Sequence, residues 1–230
     1  MSQLNLSPEQ KEIINQHDHN INILTQQMAE LICEPSDTII DVGFNCLQNT
    51  KKFMEIVGTQ GCVVGFEPIK FWTEQARYWA ADHHYNFQAF EIALSNYVGT
   101  SKFYHYTDPD GYSGLRPTTD LPYTSYDVAV DMLDSFDHEL QQVAFVKIDI
   151  EGGELHALQG AVKILQKHQP VIVAEIAWAE AYGSTDQEFR SWMAQQNYVY
   201  IPCALIDFHI FVHCNNTEQI NKVTTALRQV

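Results

Sequence analysis

Three ionisable residues stand at alternate positions just after the apolar run 143–146, namely Lys147, Asp149 and Glu151. Successive strand residues face opposite sides, so these side chains would share one face if the strand continued through them. A central strand of an α/β sheet is covered on both faces, which places such charges at its carboxyl end, where ligands bind. A carboxylate there can orient or deprotonate a hydroxyl group. We therefore take Asp149 as the first catalytic candidate, with Glu151 as its partner and Lys147 holding both carboxylates ionised.

Two other interpretations of these charges stay open. Lys147 and Asp149 could form a purely structural ion pair at the end of the strand. Asp149, Glu151 and Glu175 could instead gather Mg²⁺ or Ca²⁺, because divalent cations of this kind prefer oxygen ligands. Nothing in their spacing requires a metal, so the metal ligands are unknown at this stage.

A glycine and an acid further along the chain form a second group of candidate binding residues. Gly43 follows a short apolar run and precedes a helical pattern, so it permits a tight turn and close approach of a ligand to backbone N–H groups. Glu67 ends the next apolar run, 24 residues further on, where an acid can accept hydrogen bonds from both hydroxyls of a ribose. The same two residues are also compatible with an ordinary turn glycine and a solvated acid at the end of a strand.

The turn beginning at Gly43 lacks the glycines that hold a pyrophosphate. A dinucleotide site needs the pattern G-x-G-x-x-G, and the chain instead reads Gly43-Phe44-Asn45-Cys46-Leu47-Gln48. This argues against NAD. It is compatible with S-adenosylmethionine, which presents a carboxylate, an ammonium, a sulfonium and a ribose diol but no phosphate.

Apolar runs alternate with helical patterns along the chain. Strands are predicted at 38–42, 62–66, 87–93, 143–149, 171–176, 198–201 and 208–213. Helices are predicted at 7–32, 50–57, 72–81, 128–136, 155–165 and 186–196. The alternation predicts a Rossmann-like α/β fold with helices on both faces of a mostly parallel sheet and antiparallel strands at its C-terminal end. We expect an N-terminal helical extension over residues 1–36, followed by one domain over residues 37–230.

The segment 108–127 is rich in Pro, Gly, Tyr and Ser, which is typical of an irregular functional loop or lid. Within it, Tyr112, Ser113 and Arg116 are candidates for the lining of an acceptor site. The stretch from Trp178 to Tyr182, after the fifth strand, could close that site.

Composition limits the classes of partner. The chain has 13 Lys and Arg against 29 Asp and Glu, a net charge of −16, and no basic run, so neither nucleic acid nor an anionic membrane is an expected partner. Its five cysteines form no CxxC pair, which favours reduced thiols. No cationic apolar leader and no apolar run of about 20 residues is visible, so a cytoplasmic protein is expected. The apolar positions of the first helix, such as Ile21 and Leu24, could cover the sheet or join a homo-oligomer.

Four short motifs occur in order along the chain. They are Asp41-Val42-Gly43-Phe44-Asn45 with Thr50, Gly65-Phe66-Glu67-Pro68, Ala93-Leu94-Ser95, and the run from Val146 to Glu154 with Leu158-Gln159-Gly160-Ala161. In this order they resemble the motifs of FkbM-type methyltransferases, over roughly residues 37 to 214. The resemblance implies a seven-stranded class I methyltransferase fold and transfer of a methyl group from S-adenosylmethionine, usually to a hydroxyl of a small molecule, sugar or natural product.

The residues that we expect to hold this cofactor lie in these motifs or beside them: Asp41, Gly43, Asn45, Thr50, Glu67, Pro68, Ile92, Ala93 and Asp149. The glycine turn departs from the family pattern Asp-x-Gly-Ala-Asn-x-Gly, because Phe44 and Leu47 replace the alanine and the second glycine. Bulk at these positions could narrow the methionine end of the pocket. A non-catalytic binding or scaffold protein with this fold is therefore the alternative function, and a nucleotide-binding oxidoreductase is a third.

Overall fold

The computed structural model describes residues 8–107, 111–205 and 207–228. Its strands are β1 Thr38–Val42, β2 Cys62–Phe66, β3 Phe87–Phe90, β4 Ala93–Leu94, β5 Gly99–His105, β6 Thr124–Asp131, β7 Val143–Ile148, β8 Val171–Glu175, β9 Tyr198–Ile201 and β10 Phe208–His213. Its α-helices are α1 Pro8–Ile32, α2 Gln48–Val57, α3 Lys70–Asp82, α4 Glu154–Gln159, α5 Val162–His168, α6 Asp186–Gln195 and α7 Thr217–Leu227. Two short 3-10 helices span Leu133–Glu139 and Ala179–Tyr182.

Seven strands form the main sheet, in the order β3-β2-β1-β7-β8-β10-β9. Within this sheet, neighbouring strands pair in parallel along β3, β2, β1, β7 and β8. Strand β10 runs antiparallel to both of its neighbours, β8 and β9. The predicted Rossmann-like α/β fold, with a mostly parallel seven-stranded sheet and an antiparallel C-terminal strand, is confirmed.

Each face of the sheet is covered by an apolar layer. In β1, Ile39 packs into one cluster, whereas Ile40 and Val42 pack into the cluster on the opposite face. Both faces are therefore dry, which explains why β1 is buried at every position. Burial of each such side chain contributes roughly 1.5–3 kcal/mol, so the central strands fix the rim of the sheet firmly.

Helix α1 lies on one of these faces. Its residues Ile21, Leu24 and Met28 are at most 5% exposed and belong to the same cluster as Ile39. The helix is tied to α2 by a hydrogen-bonded chain, in which Gln26 donates to Oδ1 of Asn49 (3.1 Å) and Asn49 donates to Oδ1 of Asn22 (2.6 Å). Over the described ranges, no helix combines the length and apolar character needed to cross a bilayer.

A second sheet of three strands, in the order β4-β6-β5, covers one end of the main sheet. The helix predicted over 128–136 is wrong, because 124–131 is strand β6 and the 3-10 helix begins only at Leu133. Val128 and Val130 are buried while Ala129 between them is exposed, which is the two-residue period of a strand. Oδ1 of Asp131 then accepts hydrogen bonds from the Met132 N–H and the Ser135 hydroxyl, both at 2.7 Å, where the strand ends.

Two predicted elements are interrupted. The strand predicted over 87–93 divides into β3 in the main sheet and β4 in the small sheet. The helix predicted over 155–165 divides into α4 and α5 at Gly160, where a Cβ would lie 2.1 Å from the carbonyl oxygen of Ser95. Close packing of Gly160 against the backbone after β4 therefore breaks the helical pattern. The sequence interpretation also omitted the C-terminal helix α7.

Candidate functional site

A cavity of about 720 Å³ opens beside the carboxyl ends of β1, β2 and β7. Its floor is formed by the turns that follow these strands, and its roof by the small sheet and residues 111–115. Eight of the predicted site residues line it, namely Gly43, Asn45, Glu67, Pro68, Ile92, Ala93, Asp149 and Glu151. The rim of the parallel sheet thus brings together the ends of three separate strands.

The turn at Gly43 requires a glycine. Its φ is +75°, and a Cβ there would lie 1.9 Å from the carbonyl oxygen of Asp149. The turn is held on both sides, because the Gly43 N–H donates to the Phe66 carbonyl (2.9 Å) and Nζ of Lys147 donates to the Gly43 carbonyl (2.6 Å). The close approach therefore leaves no room for a side chain at position 43.

Glu67 holds its carboxylate in a fixed position on the wall. The residue is 4% exposed, and its two carboxylate oxygens accept hydrogen bonds from the N–H groups of Asn45 (3.1 Å) and Ile69 (2.8 Å). Both donors belong to turns that also line the cavity. Apolar Ile69 and Ile92 flank this carboxylate, so the wall combines one acid with a flat apolar surface.

Three predicted site residues, Asp41, Thr50 and Lys147, lie behind the floor and are not among the residues that line the cavity. The Thr50 hydroxyl donates to Oδ2 of Asp41 (2.8 Å), and Nζ of Lys147 lies 3.6 Å from Oδ1 of Asp41 and 3.3 Å from Oδ2 of Asp149. The side chains of Asp41 and Lys147 are 0% and 8% exposed. Burial alone would lower the pKa of Lys147, but the Asp149 and Asp41 carboxylates outweigh it and raise that pKa above its usual value. Lys147 is therefore a buried cation that supports the Gly43 turn.

The acidic turn after β7 is more sharply bent than the sequence suggested. The strand ends at Ile148 and Glu151 has a φ of 62°, so the expected extended run through Lys147, Asp149 and Glu151 does not occur. Glu154, which the sequence interpretation did not select, imposes the bend. Its Oε1 accepts hydrogen bonds from the N–H groups of Ile150 (2.9 Å) and Gly152 (3.1 Å). Asp149 and Glu151 nonetheless both reach the cavity wall.

Two acids at this end of the sheet, Glu151 and Glu175, have raised pKa values. Burial, reinforced by the charges of Asp149 and Glu175, raises the pKa of Glu151 well above its ordinary value. Burial, again with Asp149 nearby, raises the pKa of Glu175 to about 9. A carboxyl group whose pKa is raised towards neutrality is suited to take up and return a proton.

The metal interpretation gains no support from the geometry. Within the described ranges, no group of three or more His, Cys, Asp or Glu side chains is arranged to hold a metal ion. Asp149, Glu151 and Glu175 therefore do not form such a group.

Phe44 and Leu47 pack away from the cavity. Both are 4% exposed and contact Ala76 of α3, and the Phe44 ring meets Phe87 edge-on at 5.8 Å between centroids. Neither is among the residues that line the cavity. Leu47 has a φ of 68°, so it occupies the left-handed backbone region of a glycine while burying its side chain behind the turn. The bulk at these two positions does not narrow the floor.

The loop candidates divide into two groups. Ser113 lines the cavity, with Gly114 and Leu115 beside it. Tyr112 and exposed Arg116 are not among the lining residues, and Tyr112 meets the Trp178 ring edge-on at 6.3 Å. Tyr182 does line the cavity, as expected for the stretch after the fifth strand.

The lining residues that sequence reasoning did not select include Phe103, Leu115 and His156. Phe103 lies on β5 of the small sheet. His156 follows Glu154 on α4 and was assigned only to a helix. No signal within the sequence identified these residues as part of the site.

The family model described as the methyltransferase FkbM domain matches residues 41–200. No curated protein matches the chain by sequence. The solved methyltransferase FkbM from Methylobacillus flagellatus KT is similar in structure, with 14% identity and a TM-score of 0.50 over 77% of this chain and 44% of that chain. Magnesium protoporphyrin IX methyltransferase from Synechocystis PCC 6803, solved with bound SAM, has 11% identity and a TM-score of 0.50 over 93% of this chain and 86% of that chain.

At these identities the two solved structures support the fold alone, and the chain spans less than half the length of the Methylobacillus protein. The family match rests on more than half of the chain and includes the Gly43 turn, Glu67 and the acidic turn after β7. The chain therefore belongs to the FkbM methyltransferase family and has the fold of S-adenosylmethionine-dependent methyltransferases.

Proposed function

We propose that this protein transfers a methyl group from S-adenosylmethionine to a hydroxyl of a small molecule or glycan. The observation that carries the proposal is the set of acids that line one cavity. Glu67 is fixed by two backbone N–H groups, one of them from the turn at Gly43, and Asp149 and Glu151 line the same cavity after β7. The fixed carboxylate of Glu67 suits a nucleoside, and the acids after β7 suit an acceptor hydroxyl.

The residues present fit the cofactor. Glu67 would accept hydrogen bonds from the ribose hydroxyls, and the apolar side chains of Ile69 and Ile92, with Ala93, would flank the adenine. Among the described residues, Oδ1 of Asn45 is buried without a hydrogen-bond partner, and it is an acceptor suited to the ammonium of the methionine end. Pro68 fixes the direction of the chain after Glu67.

Asp41, Thr50 and Lys147 support this cofactor wall indirectly. Lys147 donates to the Gly43 carbonyl and balances the charge of Asp41, which in turn is held by the Thr50 hydroxyl. In the proposal Lys147 is a positioning residue. The catalytic role stays with Asp149 and Glu151.

When bound, the cofactor would supply a methyl group on a sulfonium, whose carbon a positioned hydroxyl oxygen can attack while the neutral thioether of S-adenosylhomocysteine leaves. Asp149 and Glu151 would orient that hydroxyl and accept its proton as the new carbon–oxygen bond forms. Burial raises the pKa of Glu151, so its carboxylate is a stronger base than that of an exposed glutamate. Holding the oxygen in line is worth up to about 7–11 kcal/mol in well-oriented systems, so most of the rate depends on the shape of the cavity.

Calorimetric titration with S-adenosylhomocysteine tests the proposal. We expect binding in the micromolar range that Glu67→Ala abolishes, whereas Glu74→Ala, an exposed acid on α3, leaves it unchanged. A wild-type protein that binds no S-adenosylhomocysteine would favour the alternative, a non-catalytic binding or scaffold protein.

The reaction itself is tested with radiolabelled S-adenosylmethionine and a panel of sugars and small alcohols. Label transferred to a hydroxyl oxygen, lost in Asp149→Asn and strongly reduced in Glu151→Gln, is the expected result. Transfer only to amines or thiols would contradict O-methylation and leave the cofactor assignment intact.

A further inference from the structure

Tyr182 connects the roof of the cavity to its floor. The residue ends the 3-10 helix Ala179–Tyr182, and its hydroxyl accepts a hydrogen bond from the Leu115 N–H at 2.9 Å. Leu115 belongs to the roof segment 111–116, which is 67 residues earlier in the chain. The bond therefore joins two parts of the wall that are distant in sequence.

The phenol ring is enclosed by glycines from both sides. A Cβ on Gly114 in the roof would lie 2.9 Å from the Tyr182 hydroxyl oxygen, and a Cβ on Gly152 in the acidic turn would lie 2.9 Å from the ring. On Gly153 the distance to the ring would be 3.3 Å. A larger residue at 114 would meet the Tyr182 hydroxyl, and one at 152 would meet the Trp178 carbonyl at 2.5 Å as well as the ring, so both glycines leave room for Tyr182.

The roof segment is also attached to the small sheet. The N–H and carbonyl of Gly114 pair with the carbonyl and N–H of Tyr104 in an isolated bridge, at 3.2 and 2.8 Å. The Ser113 hydroxyl oxygen accepts a hydrogen bond from the Tyr106 N–H at 3.1 Å, just after β5. The segment is thus held by the small sheet through Ser113 and Gly114 and by Tyr182 through Leu115, and these four residues line the cavity.

We propose that Tyr182 is a positioning residue that holds residues 111–116 closed over the cavity and so sets the rate at which the bound cofactor leaves. The proposal rests on the proposed function for the identity of the ligand. The contact itself does not depend on it. Closure by neutral hydrogen bonds and ring packing is weak enough to open repeatedly during turnover.

Amide hydrogen exchange tests the closure without any ligand. Tyr182→Phe removes the partner of the Leu115 N–H, so faster exchange at Leu115 alone would be trivial. We expect faster exchange also at Gly114, whose own partner is the Tyr104 carbonyl. An unchanged Gly114 amide would overturn the proposal.

The rate of S-adenosylhomocysteine release, measured by stopped flow, tests the consequence. Tyr182→Phe is expected to accelerate release by about twofold to tenfold, the range of one neutral hydrogen bond. Tyr198→Phe is the matched control, because the Tyr198 hydroxyl contacts the Leu165 carbonyl at 3.5 Å on a distant part of the sheet. Equal release rates in wild type and Tyr182→Phe would contradict the proposal.

A double variant separates the specific contact from general damage. Gly114→Ala places a methyl group against the Tyr182 hydroxyl oxygen, so we expect it to accelerate release as well. In Gly114→Ala/Tyr182→Phe that oxygen is absent, and the two effects should therefore be less than additive. If the effects of the two substitutions on the release rate were fully additive, the contact between Gly114 and Tyr182 would not control release. If wild-type protein binds no S-adenosylhomocysteine, the proposed function fails, and the exchange at Gly114 still decides the closure.

Discussion

A Cβ on Gly43 would lie 1.9 Å from the carbonyl oxygen of Asp149, so the ends of β1 and β7 meet where only a hydrogen atom fits. Gly43→Ala is expected to lower the free energy of unfolding by at least about 3 kcal/mol, because a left-handed alanine and an overlap with backbone are combined. Gly183→Ala is the control, since Gly183 is also in the left-handed region, with a φ of +74°, but has no atom within 4 Å of the added Cβ. It should cost only about 1–2 kcal/mol in urea denaturation. Equal losses would contradict the importance of this contact.

The buried ion pair between Lys147 and Asp41 is expected to contribute to the free energy of unfolding. Lys147→Met leaves the Asp41 carboxylate without its cation, so we expect a loss of about 3–5 kcal/mol in the free energy of unfolding. Adding Asp41→Asn to Lys147→Met removes the unpaired carboxylate, so the double variant should be more stable than Lys147→Met. Chemical denaturation of the four proteins forms a double-mutant cycle. A Lys147→Met variant as stable as wild type would show that Asp41 does not need the ion pair.

The raised pKa of Glu154 leads to a prediction of how the free energy of unfolding depends on pH. Burial raises its pKa to about 8, against the backbone hydrogen bonds from Ile150 and Gly152 that lower it. The folded protein thus binds this proton more tightly than the unfolded chain, so the stabilisation is complete below the unfolded value of 4.5 and is lost as pH rises towards 8. The slope for one such group is at most about 1.4 kcal/mol per pH unit.

Glu154→Gln should flatten part of this decline while keeping an oxygen for the two N–H donors. We expect wild type to lose more stability than Glu154→Gln between pH 7 and about 8, a window chosen to lie above the histidine pKa values of roughly 6.5. Urea denaturation at both pH values measures the difference. Parallel pH profiles for the two proteins would contradict the prediction.

Leu47 sets two effects against each other. Its φ of 68° costs about 1–2 kcal/mol of backbone strain, which glycine would relieve. Removing its buried side chain costs more, about 2–5 kcal/mol for a comparable truncation. Leu47→Gly, although it restores the common family residue, should therefore destabilise the protein by about 1–3 kcal/mol in thermal or urea unfolding. A gain in stability would mean that the strain outweighs the packing against α3.

The sequence predicted the main sheet well because each of its strands is an apolar run ended by a turn residue or a charge. Val143–Ile148, for example, is continuous in its burial, and the acids after it mark the edge of the sheet. Gly43 and Glu67 could be found for the same reason, since strand ends and turn glycines leave a local signal. Predicted site residues at those ends line the cavity.

Other parts depend on contacts that no local pattern reveals. Val128 and Val130 suit a strand as well as a helix, and only pairing with β5 decides between them. Gly160 lies within a helical pattern, and its contact with the Ser95 carbonyl, 65 residues away, divides the helix. Asp41 and Lys147 were taken for site residues because a sequence does not show which side of a turn a charge occupies. The structure places them behind the cavity floor.

The chain leaves the main sheet after β3, builds the small sheet, and returns at β7. Most residues of the roof consequently lie in one stretch of the chain, whereas the floor residues that would contact the proposed cofactor come from strand ends before and after it. Substitutions between Ser95 and Gln142 can reshape the chamber offered to an acceptor while the strand ends around Gly43 and Glu67 stay as they are. A scaffold organised in this way allows the choice of acceptor to diverge independently of the methyl donor.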